Sequence, residues 1–390
     1  MASSEIIIVS WNGGDDTIRA VEGCLLQTGI GGNRRDDVTI SVVDNGSTDG
    51  TGTILRRRFP GLNLVTLDEN RGFTGGVMAG ALRSSADYLI LLNNDATPEP
   101  GWLDASVRAL EESDPSVIAA AGRMLDNSGT KVDFVNGVMT FDGHGFQPGF
   151  GRPLDEVVQS PAGTEVFFAS GGNMIVRRKE FLDLGGLDDD FFAYFEDIDF
   201  GWRSWQAGYR TIWNPDATVR HRSQATSSRL GDFERGVLFE RNAIQMTVKN
   251  LDDEMFSKLA GPIFLTLLHR LHRYSTERND RTSALTRPPL DAPDARSPRR
   301  SEKAVIDDPL TAMQFRAIQW FFDHNDRIME KRAATQARRR VSDREILTRF
   351  PPYIVPTYPA DERLFSSKLF ESLWPDLAKE IWSLGELQLR

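Results

Sequence analysis

Cysteine is almost absent from this sequence of 390 residues, in which Cys24 is the single one. One thiol excludes an intramolecular disulfide and a metal site built from cysteines. Histidine is scarce as well, with five in the whole chain. Because imidazole can bind a metal or carry a proton, His221, which follows a cluster of carboxylates, is a candidate for either role.

Long apolar runs and an excess of positive charge are also lacking. No uninterrupted apolar stretch approaches the roughly 18 residues that a membrane span needs, and the N-terminus lacks the pattern of a signal peptide. The formal net charge is −10, which disfavours nonspecific binding to nucleic acid. We therefore expect a cytoplasmic protein without a nucleic-acid partner, and contact with the inner face of the cell membrane stays open.

The apolar residues, 40% of the chain, are enough for one large core or two domains. The first third alternates β-branched runs with helical patterns. Strands are predicted over Glu5–Ser10, Val38–Asp44, Leu62–Leu67 and Tyr88–Leu92. Helices are predicted over Asp15–Thr28, Gly50–Phe59 and Phe73–Ala86. This alternation predicts an α/β fold with a mostly parallel central sheet flanked by helices.

The rest of the chain suggests further units. We predict an α/β domain over residues 1–228, a helical segment packed on it over 229–275, a flexible linker or loop over 276–308, and a C-terminal helical region over 309–390. The linker is predicted from its prolines and many charges. Helices are predicted over Asp197–Gly208, Phe233–Lys249, Met255–Tyr274 and Pro309–Arg340, and the stretch Leu364–Leu389 is amphipathic.

Two apolar features of the helical regions have alternative interpretations. The run Gly261–Arg273 fits a core helix, and with its basic residues it also fits a helix lying on an anionic membrane surface. The aromatic side chains of Phe315 and Trp320–Phe322 fit core packing or a homodimer face.

Polar residues and glycines follow each of the four predicted strands of the first third. These segments are Ser10–Asn12, Asp44–Gly50, Asp68–Gly76 and Asn93–Asp95. Turn chemistry explains any one of them alone. Ligands of open α/β sheets bind outside the carboxyl ends of the strands, so four such segments at one edge predict a binding site there.

Asp95 indicates what this site could bind. A carboxylate facing a phosphate group would repel it unless a hard cation lay between them, and Mg²⁺ or Mn²⁺ binds carboxylates together with phosphate oxygens. Asn93 could add a neutral oxygen. Glycines 72, 75 and 76 would let backbone amides approach an anion. The alternative is that Asp95 merely starts the turn at Pro98. The dinucleotide fingerprint and the Walker phosphate loop are both absent.

A second acidic cluster lies between aromatic residues in the segment GGLDDDFFAYFEDIDFGWR. Its carboxylates are Asp188 to Asp190, Glu196, Asp197 and Asp199. Carboxyl groups held among aromatic side chains can have a raised pKa and act as bases. The alternative for Glu196 and Asp197 is a favourable interaction with the N-terminus of the predicted helix.

Six motifs follow one another along residues 5–250: VSWN, VVDNGSTDGT, NRGFTGG, LLNND, GGLDDDFFAYFEDIDFGWR and VRH. In order and spacing they resemble family 2 glycosyltransferases with the GT-A fold, and most of all the bacterial rhamnosyltransferase-like and galactofuranosyltransferase-like members. The resemblance implies an inverting enzyme that moves a sugar from a nucleotide-diphosphate sugar to an acceptor hydroxyl with the help of Mg²⁺ or Mn²⁺.

The resemblance also implies roles for individual residues. The donor is expected to contact Ser10, Trp11, Asn12, Asp44, Asn70, Arg71, Gly72, Gly75, Gly76, Asn93, Asn94 and Asp95. The metal would be held by Asp95, Asn93 and His221, where Asn93 replaces the first aspartate of the family's Asp-x-Asp motif. Asp197 matches the general base. The acceptor is expected at Glu196, Gly171, Gly172 and Trp202.

The donor and acceptor are implied only as classes. Asn93 favours dTDP-rhamnose, and UDP-sugars remain alternatives; the acceptor would be a cell-surface glycan, free or lipid-linked. Two other functions stay open. One is a catalytically inactive subunit that binds a sugar nucleotide or glycan. The other is a nucleotidyltransferase, although its basic, glycine-rich N-terminal loop is missing from VSWNGGDD.

Overall fold

The computed structural model describes residues 2–29, 37–223, 230–276, 309–358, 361–375 and 381–389. The predicted linker over 276–308 lies outside the described residues except for its first residue. The predicted boundary near residue 228 also falls outside them.

The first third of the chain forms a parallel sheet covered by helices. Its elements are β1 (Ser4–Ser10), α1 (Gly14–Gly29), β2 (Val38–Asn45), α2 (Thr51–Arg58), β3 (Asn63–Leu67), α3 (Gly72–Ala81) and β4 (Tyr88–Asn93). The strands lie in the order β3-β2-β1-β4 and all run parallel. Ile6, Ile7 and Ile8 are at most 1% exposed, as expected for a strand covered on both faces. The predicted alternation is confirmed here, although α3 ends at Ala81 rather than Ala86.

The sheet continues with strands of mixed direction. The next elements are β5 (Ala96–Pro98), α4 (Trp102–Glu111), β6 (Val117–Asp126), β7 (Val132–Phe134), β8 (Val138–Met139), β9 (Gly145–Phe146), β10 (Asn173–Arg177), α5 (Arg178–Asp183), α6 (Glu196–Gln206) and β11 (Arg210–His221). The order is β4-β10-β6-β11-β5, and β10 runs antiparallel to both of its neighbours. The parallel arrangement that we predicted holds for the first four strands and for the β6–β11 pair, whereas β10 and β5 run antiparallel to their neighbours, so the sheet as a whole is mixed.

The remaining described elements are helices. They are α7 (Asp232–Asn250), α8 (Asp253–Thr276), α9 (Pro309–Asp323), α10 (Asn325–Arg338), α11 (Asp343–Arg349), α12 (Asp361–Phe365), α13 (Lys368–Leu373) and α14 (Leu384–Leu389). The single helix predicted over Pro309–Arg340 is wrong. It breaks at His324, whose φ of −114° and ψ of 10° are not helical and whose Nδ1 lies 2.8 Å from the carbonyl oxygen of Trp320.

The helical region and the α/β part share one buried core. Phe141, which precedes β9, packs its ring 5.5 Å from the rings of both Phe365 and Phe370. Trp202 of α6 donates its indole N–H to the Asp343 carboxylate at 2.8 Å. Within the described residues, no helix combines the length and apolar character needed to cross a membrane.

Candidate active site

A cavity of about 600 Å³ opens at the carboxyl ends of β1 and β4. It brings together eleven of the residues singled out in the sequence: Trp11, Asn70, Gly72, Asn93, Asn94, Asp95, Gly171, Gly172, Glu196, Asp197 and His221. These positions span some 200 residues of sequence, so the strand-end segments and the later acidic motif meet in one place.

Six of the predicted donor contacts do not line the cavity, and the four that are not glycines have structural partners. The Ser10 hydroxyl is buried and lies 2.6 Å from the hydroxyl of Thr17. Asn12 accepts the Thr48 backbone N–H at 2.8 Å. Asp44 accepts the backbone N–H of Ser47 at 3.2 Å. The exposed side chain of Arg71 lies 3.8 Å from Glu69.

Two glycines and one tryptophan of the predicted site also have packing roles. A Cβ on Gly76 would lie 2.4 Å from Val9 Cγ1, and one on Gly75 would lie 2.5 Å from Arg71 Cβ. Gly76 therefore lets α3 approach β1 closely, Gly75 leaves room for the Arg71 side chain, and neither glycine lines the cavity. Trp202 is fully buried in the core, which argues against the acceptor contact that we expected of it.

The cavity has a polar wall made by the strand ends. We call it the strand-end wall; it consists of Val9, Trp11, Asn45, Asn70, Gly72, Phe73, Asn93, Asn94, Asp95, Asp133, His221 and Ser223. Asn45, which sequence reasoning missed, orders this wall. Its amide nitrogen donates to the Gly72 carbonyl at 2.9 Å and its oxygen accepts the Arg71 backbone N–H at 3.0 Å.

Asp95 and His221 meet because β5 pairs with the end of β11. The antiparallel register places His221 opposite Ala96, and His221 Nε2 lies 3.0 Å from Asp95 Oδ1. The amide nitrogen of Asn93 is 3.2 Å from the same ring nitrogen. All three residues predicted to hold a metal are therefore adjacent.

Asp133 is a further member of this group that sequence reasoning missed. It lies on β7 and lines the cavity, and its Oδ2 is 3.2 Å from His221 Nδ1. Burial lowers the pKa of His221, but the carboxylates of Asp133 and Asp95 overcome this effect. With no cation bound, they raise the pKa of His221 to about 10. A lone aspartate within the three-residue strand Val132–Phe134 carries no sequence signal that could have found it.

Asp197 and Glu196 begin α6 and face the cavity. Asp197 Oδ2 accepts the backbone N–H of Gly171 at 3.1 Å, and Oδ1 accepts that of Ile198 at 2.8 Å. Burial raises the pKa of Asp197 to about 6 against these hydrogen bonds. Burial and the neighbouring Asp197 raise the pKa of Glu196 well above its usual range. The pair can therefore hold a base next to a protonated carboxyl group.

The backbone before these carboxylates is strained. Phe192, Tyr194 and Phe195 have φ values of 63°, 72° and 67°, in a region that costs non-glycine residues on the order of 1–3 kcal/mol each. Asn242 of α7, missed by sequence reasoning, supports the segment. Its side-chain nitrogen lies 2.8 Å from the carbonyl oxygens of both Ala193 and Tyr194.

Much of the remaining lining of the cavity is apolar, and we call this part the apolar wall. It consists of Gly145, Phe146, Gln147, Phe150, Tyr194, Phe195, Leu230, Phe239, Leu384, Leu387 and Gln388. The segment Ser170–Gly172 connects the strand-end wall to the catalytic pair, since Gly172 packs against Asn93 and Gly171 binds Asp197. Asp197 therefore faces a cavity whose lining has a polar part and an apolar part.

The acidic run Asp188–Asp190 lies outside this cavity. Its carboxylates are close enough together to hold a cation, but basic side chains already neutralise them. Lys249 lies 2.5 Å from Asp188, Lys331 lies 2.5 Å from Asp190, and Arg327 lies 2.8 Å from Asp190. We therefore assign this run a structural role in holding α7 and α10.

Residues 5–185 match the family model for glycosyl transferase family 2. These residues form a family 2 glycosyltransferase domain. An N-acetylglucosaminyl-diphospho-decaprenol L-rhamnosyltransferase of Mycobacterium tuberculosis is 27% identical over 216 residues, which cover 49% of this chain and 69% of that protein. A glucosyl-dolichyl phosphate glucuronosyltransferase of Haloferax volcanii is 28% identical over 163 residues, which cover 40% of this chain and 49% of that one.

The fold of this glycosyltransferase also resembles that of solved enzymes. The structure of GalNAc-T7 with UDP, GalNAc and Mn²⁺ superposes with a TM-score of 0.51 at 15% identity, over 67% of this chain and 50% of that chain. At this identity the similarity establishes the fold, and it confirms the GT-A architecture predicted from the motifs.

Proposed function

We propose that this glycosyltransferase is an inverting, metal-dependent enzyme that moves a sugar from a nucleotide-diphosphate sugar to a hydroxyl of a glycan acceptor. The observation that carries the proposal is that Asp197 faces the same cavity as the Asp95–His221 pair. A base and a place for a metal-bound diphosphate are the two things that such a transfer needs.

Asp197 is the proposed general base. Its carboxylate would take the proton of the acceptor hydroxyl as that oxygen forms a bond to the anomeric carbon of the donor. The bond from the anomeric carbon to the diphosphate breaks at the same time, and the electron pair leaves with the diphosphate. Attack opposite the leaving group inverts the configuration. Glu196, protonated because its pKa is raised, would donate a hydrogen bond to the acceptor.

The residues of the strand-end wall suit a divalent cation. Asp95 offers a carboxylate oxygen and His221 an imidazole nitrogen 3.0 Å apart, a donor set compatible with Mn²⁺ or Mg²⁺. The cavity is acidic, and among the described residues that line it there is no lysine or arginine. A bound divalent cation would neutralise the charge of the leaving diphosphate.

The donor and acceptor classes are proposed by similarity. The rhamnosyltransferase of M. tuberculosis is named for a lipid-linked acceptor, which supports dTDP-rhamnose or a UDP-sugar as donor and a lipid-linked glycan as acceptor here. Both substrates would be met at the inner face of the cell membrane, so a cytoplasmic location with peripheral membrane contact stays a prediction. The homodimer through the C-terminal region also stays a prediction.

The proposal is tested with a panel of UDP-, dTDP- and GDP-sugars, each with Mn²⁺ or with EDTA. Ligands that bind the folded state raise its melting temperature, so a cation-dependent shift with one sugar nucleotide selects the donor. Release of free nucleoside diphosphate and an inverted anomeric centre in the product, seen by NMR, are the expected results. Asp95→Ala should abolish the cation-dependent shift, and unchanged donor affinity in this variant would refute the metal assignment.

Two other outcomes correspond to the rival functions. Release of pyrophosphate would identify a nucleotidyltransferase. Donor binding without any transfer, across acceptors with and without lipid, would identify a binding subunit. The raised pKa of Asp197 and its position in the cavity favour the transferase.

A further inference from the structure

The apolar wall of the cavity has no role in the transfer reaction itself. A sugar acceptor presents hydroxyl groups, and each one that is buried without a hydrogen bond costs free energy. Among the described residues of the apolar wall, the polar side chains are those of Gln147, Gln388 and Tyr194. The wall therefore offers the hydroxyl groups of a saccharide few hydrogen-bond partners, whereas its side chains can contact a hydrocarbon without that cost.

The C-terminal helix α14 supplies the aliphatic part of the wall. Leu384 and Leu387 both face the cavity. Leu387 is 2% exposed and packs with Val138 and Val355, whereas Leu384 is 40% exposed. Leucine side chains, unlike aromatic rings, offer a sugar no face on which to stack, but they pack well on an alkyl or isoprenoid chain.

The residues just before this helix pack on the segment around Tyr353, which in turn binds the α/β part of the protein. Trp382 stacks on Tyr353 with ring centroids 4.4 Å apart, and its backbone N–H donates to the Ile354 carbonyl at 3.1 Å. Tyr353 in turn donates its backbone N–H to Met139 at 2.8 Å. These contacts position the leucines of α14 in the wall of the cavity.

The wall includes a residue next to the catalytic base and residues exposed to solvent. Phe195, directly before the Glu196–Asp197 pair, packs its ring 5.0 Å from that of Phe239. Phe150, which lines the same cavity, is 41% exposed. An acceptor with its hydroxyl at Asp197 could thus extend an attached chain along apolar side chains to solvent or to a membrane surface.

We infer that the apolar wall, completed by α14, is a binding site for the hydrocarbon chain of an amphiphilic acceptor. The inference rests on the proposed transfer reaction, because the hydroxyl of the same acceptor would be the group that is glycosylated. The apolar wall would select the acceptor through contacts with its hydrocarbon chain, and the strand-end wall would select the donor independently of those contacts.

The inference is tested with octyl and methyl β-N-acetylglucosaminide, which differ only in the length of the alkyl group. Both are used below the critical micelle concentration of the octyl compound. Calorimetry in the presence of the selected donor nucleotide measures binding without requiring turnover. We expect the octyl compound to bind at least about tenfold more tightly than the methyl compound, as burial of several methylene groups implies. Equal affinities would overturn the inference.

Leu384→Glu places a charge in the wall at a half-exposed position where folding is little affected. It should remove most of the preference for the octyl chain and leave donor affinity unchanged. The matched control is Leu369→Glu on α13, where the leucine is 59% exposed and does not line the cavity; it should behave as the wild type. A loss of affinity for both glycosides alike in Leu384→Glu would contradict a chain-binding role.

The two proposals fail in different ways. Suppose that the octyl glycoside binds more tightly and that Leu384→Glu removes this preference, but that no sugar is transferred from any donor. The transfer proposal is then wrong, and the binding site for the hydrocarbon chain stands. If transfer occurs with equal KM for octyl and methyl acceptors, the transfer proposal stands and the chain site is refuted.

Discussion

Asp133 Oδ2 lies 3.2 Å from His221 Nδ1, on the side of the ring opposite Asp95. A carboxylate in this position accepts the Nδ1–H, so that Nε2 is the ring nitrogen turned toward Asp95. Second partners of this kind fix the tautomer and orientation of metal-binding histidines. Asp133 thus acts on the proposed metal site through His221.

Removing this partner should weaken metal binding. We expect Asp133→Ala to lower Mn²⁺ affinity on the order of 10–100-fold, measured by the loss of free Mn²⁺ signal in an EPR titration. Asp133→Asn keeps a hydrogen-bond acceptor and should restore part of the affinity. Asp155→Asn, at an exposed position, is the control. An Mn²⁺ affinity unaffected by Asp133→Ala would show that the contact is not needed.

The pKa of Asp197 predicts the acid limb of the pH profile. A base acts in its deprotonated form, and burial raises this pKa to about 6, so kcat/KM should fall as the pH drops through about 6 with Mn²⁺ kept saturating. Asp197→Asn should lose on the order of 10²–10⁴-fold in kcat while donor affinity is kept. An unchanged acid limb in that variant would assign it to another group.

Asn242 should matter for catalysis although it does not line the cavity. Its side chain supports the strained backbone of residues 192–195 through hydrogen bonds to Ala193 and Tyr194, and small displacements of a catalytic group can cost up to about 10²-fold in rate. We expect Asn242→Ala to lower kcat by about ten- to a hundredfold, with little change in donor affinity. Asn127→Ala, in an exposed turn, serves as the control; equal loss of kcat and donor affinity would indicate general unfolding instead.

A variant of Gly76 tests whether this glycine serves helix packing or donor binding. Because its Cβ would lie 2.4 Å from Val9 Cγ1, Gly76→Ala should lower the free energy of unfolding in urea by about 1–3 kcal/mol. Gly61→Ala, where a Cβ meets nothing within 4 Å, should change it by less than about 0.5 kcal/mol. A loss of donor affinity at undiminished stability would return Gly76 to the donor site.

Arg270 of α8 connects the helical region to the α/β part. It is buried, with its guanidinium 2.9 Å from Asp142 and 2.8 Å from Asp361. Arg270→Met leaves both carboxylates without this partner and should cost about 3–5 kcal/mol of unfolding free energy. Lys258→Met on the same helix breaks a pair with the half-exposed Glu254 and should cost less than about 1 kcal/mol. Similar costs for the two variants, measured by denaturant unfolding, would show that the buried network adds nothing.

Much of the site was visible in the sequence because its signals are local. The strands before Trp11 and Asn93 are continuous apolar runs, and a parallel sheet brings the residues after such runs to one edge. The acidic pair Glu196–Asp197 follows aromatic residues at the start of a helical pattern. The same reliance on local signals explains the wrong helix boundary at His324. Periodicity of apolar residues cannot distinguish one long helix from two helices that join end to end.

By itself, the sequence determined the order of the elements in the first third of the chain, the strand-end residues and the acidic pair, since these depend on neighbours a few positions away. The tertiary structure alone decided that Asp133 lies on His221, that Asn242 supports the segment before Asp197, and that Leu384 faces the cavity. Each of these relationships joins segments that lie dozens of residues apart or more in the sequence. Packing of the whole core, rather than any local preference, sets such distances, and so the apolar wall and its proposed acceptor chain became visible in the fold alone.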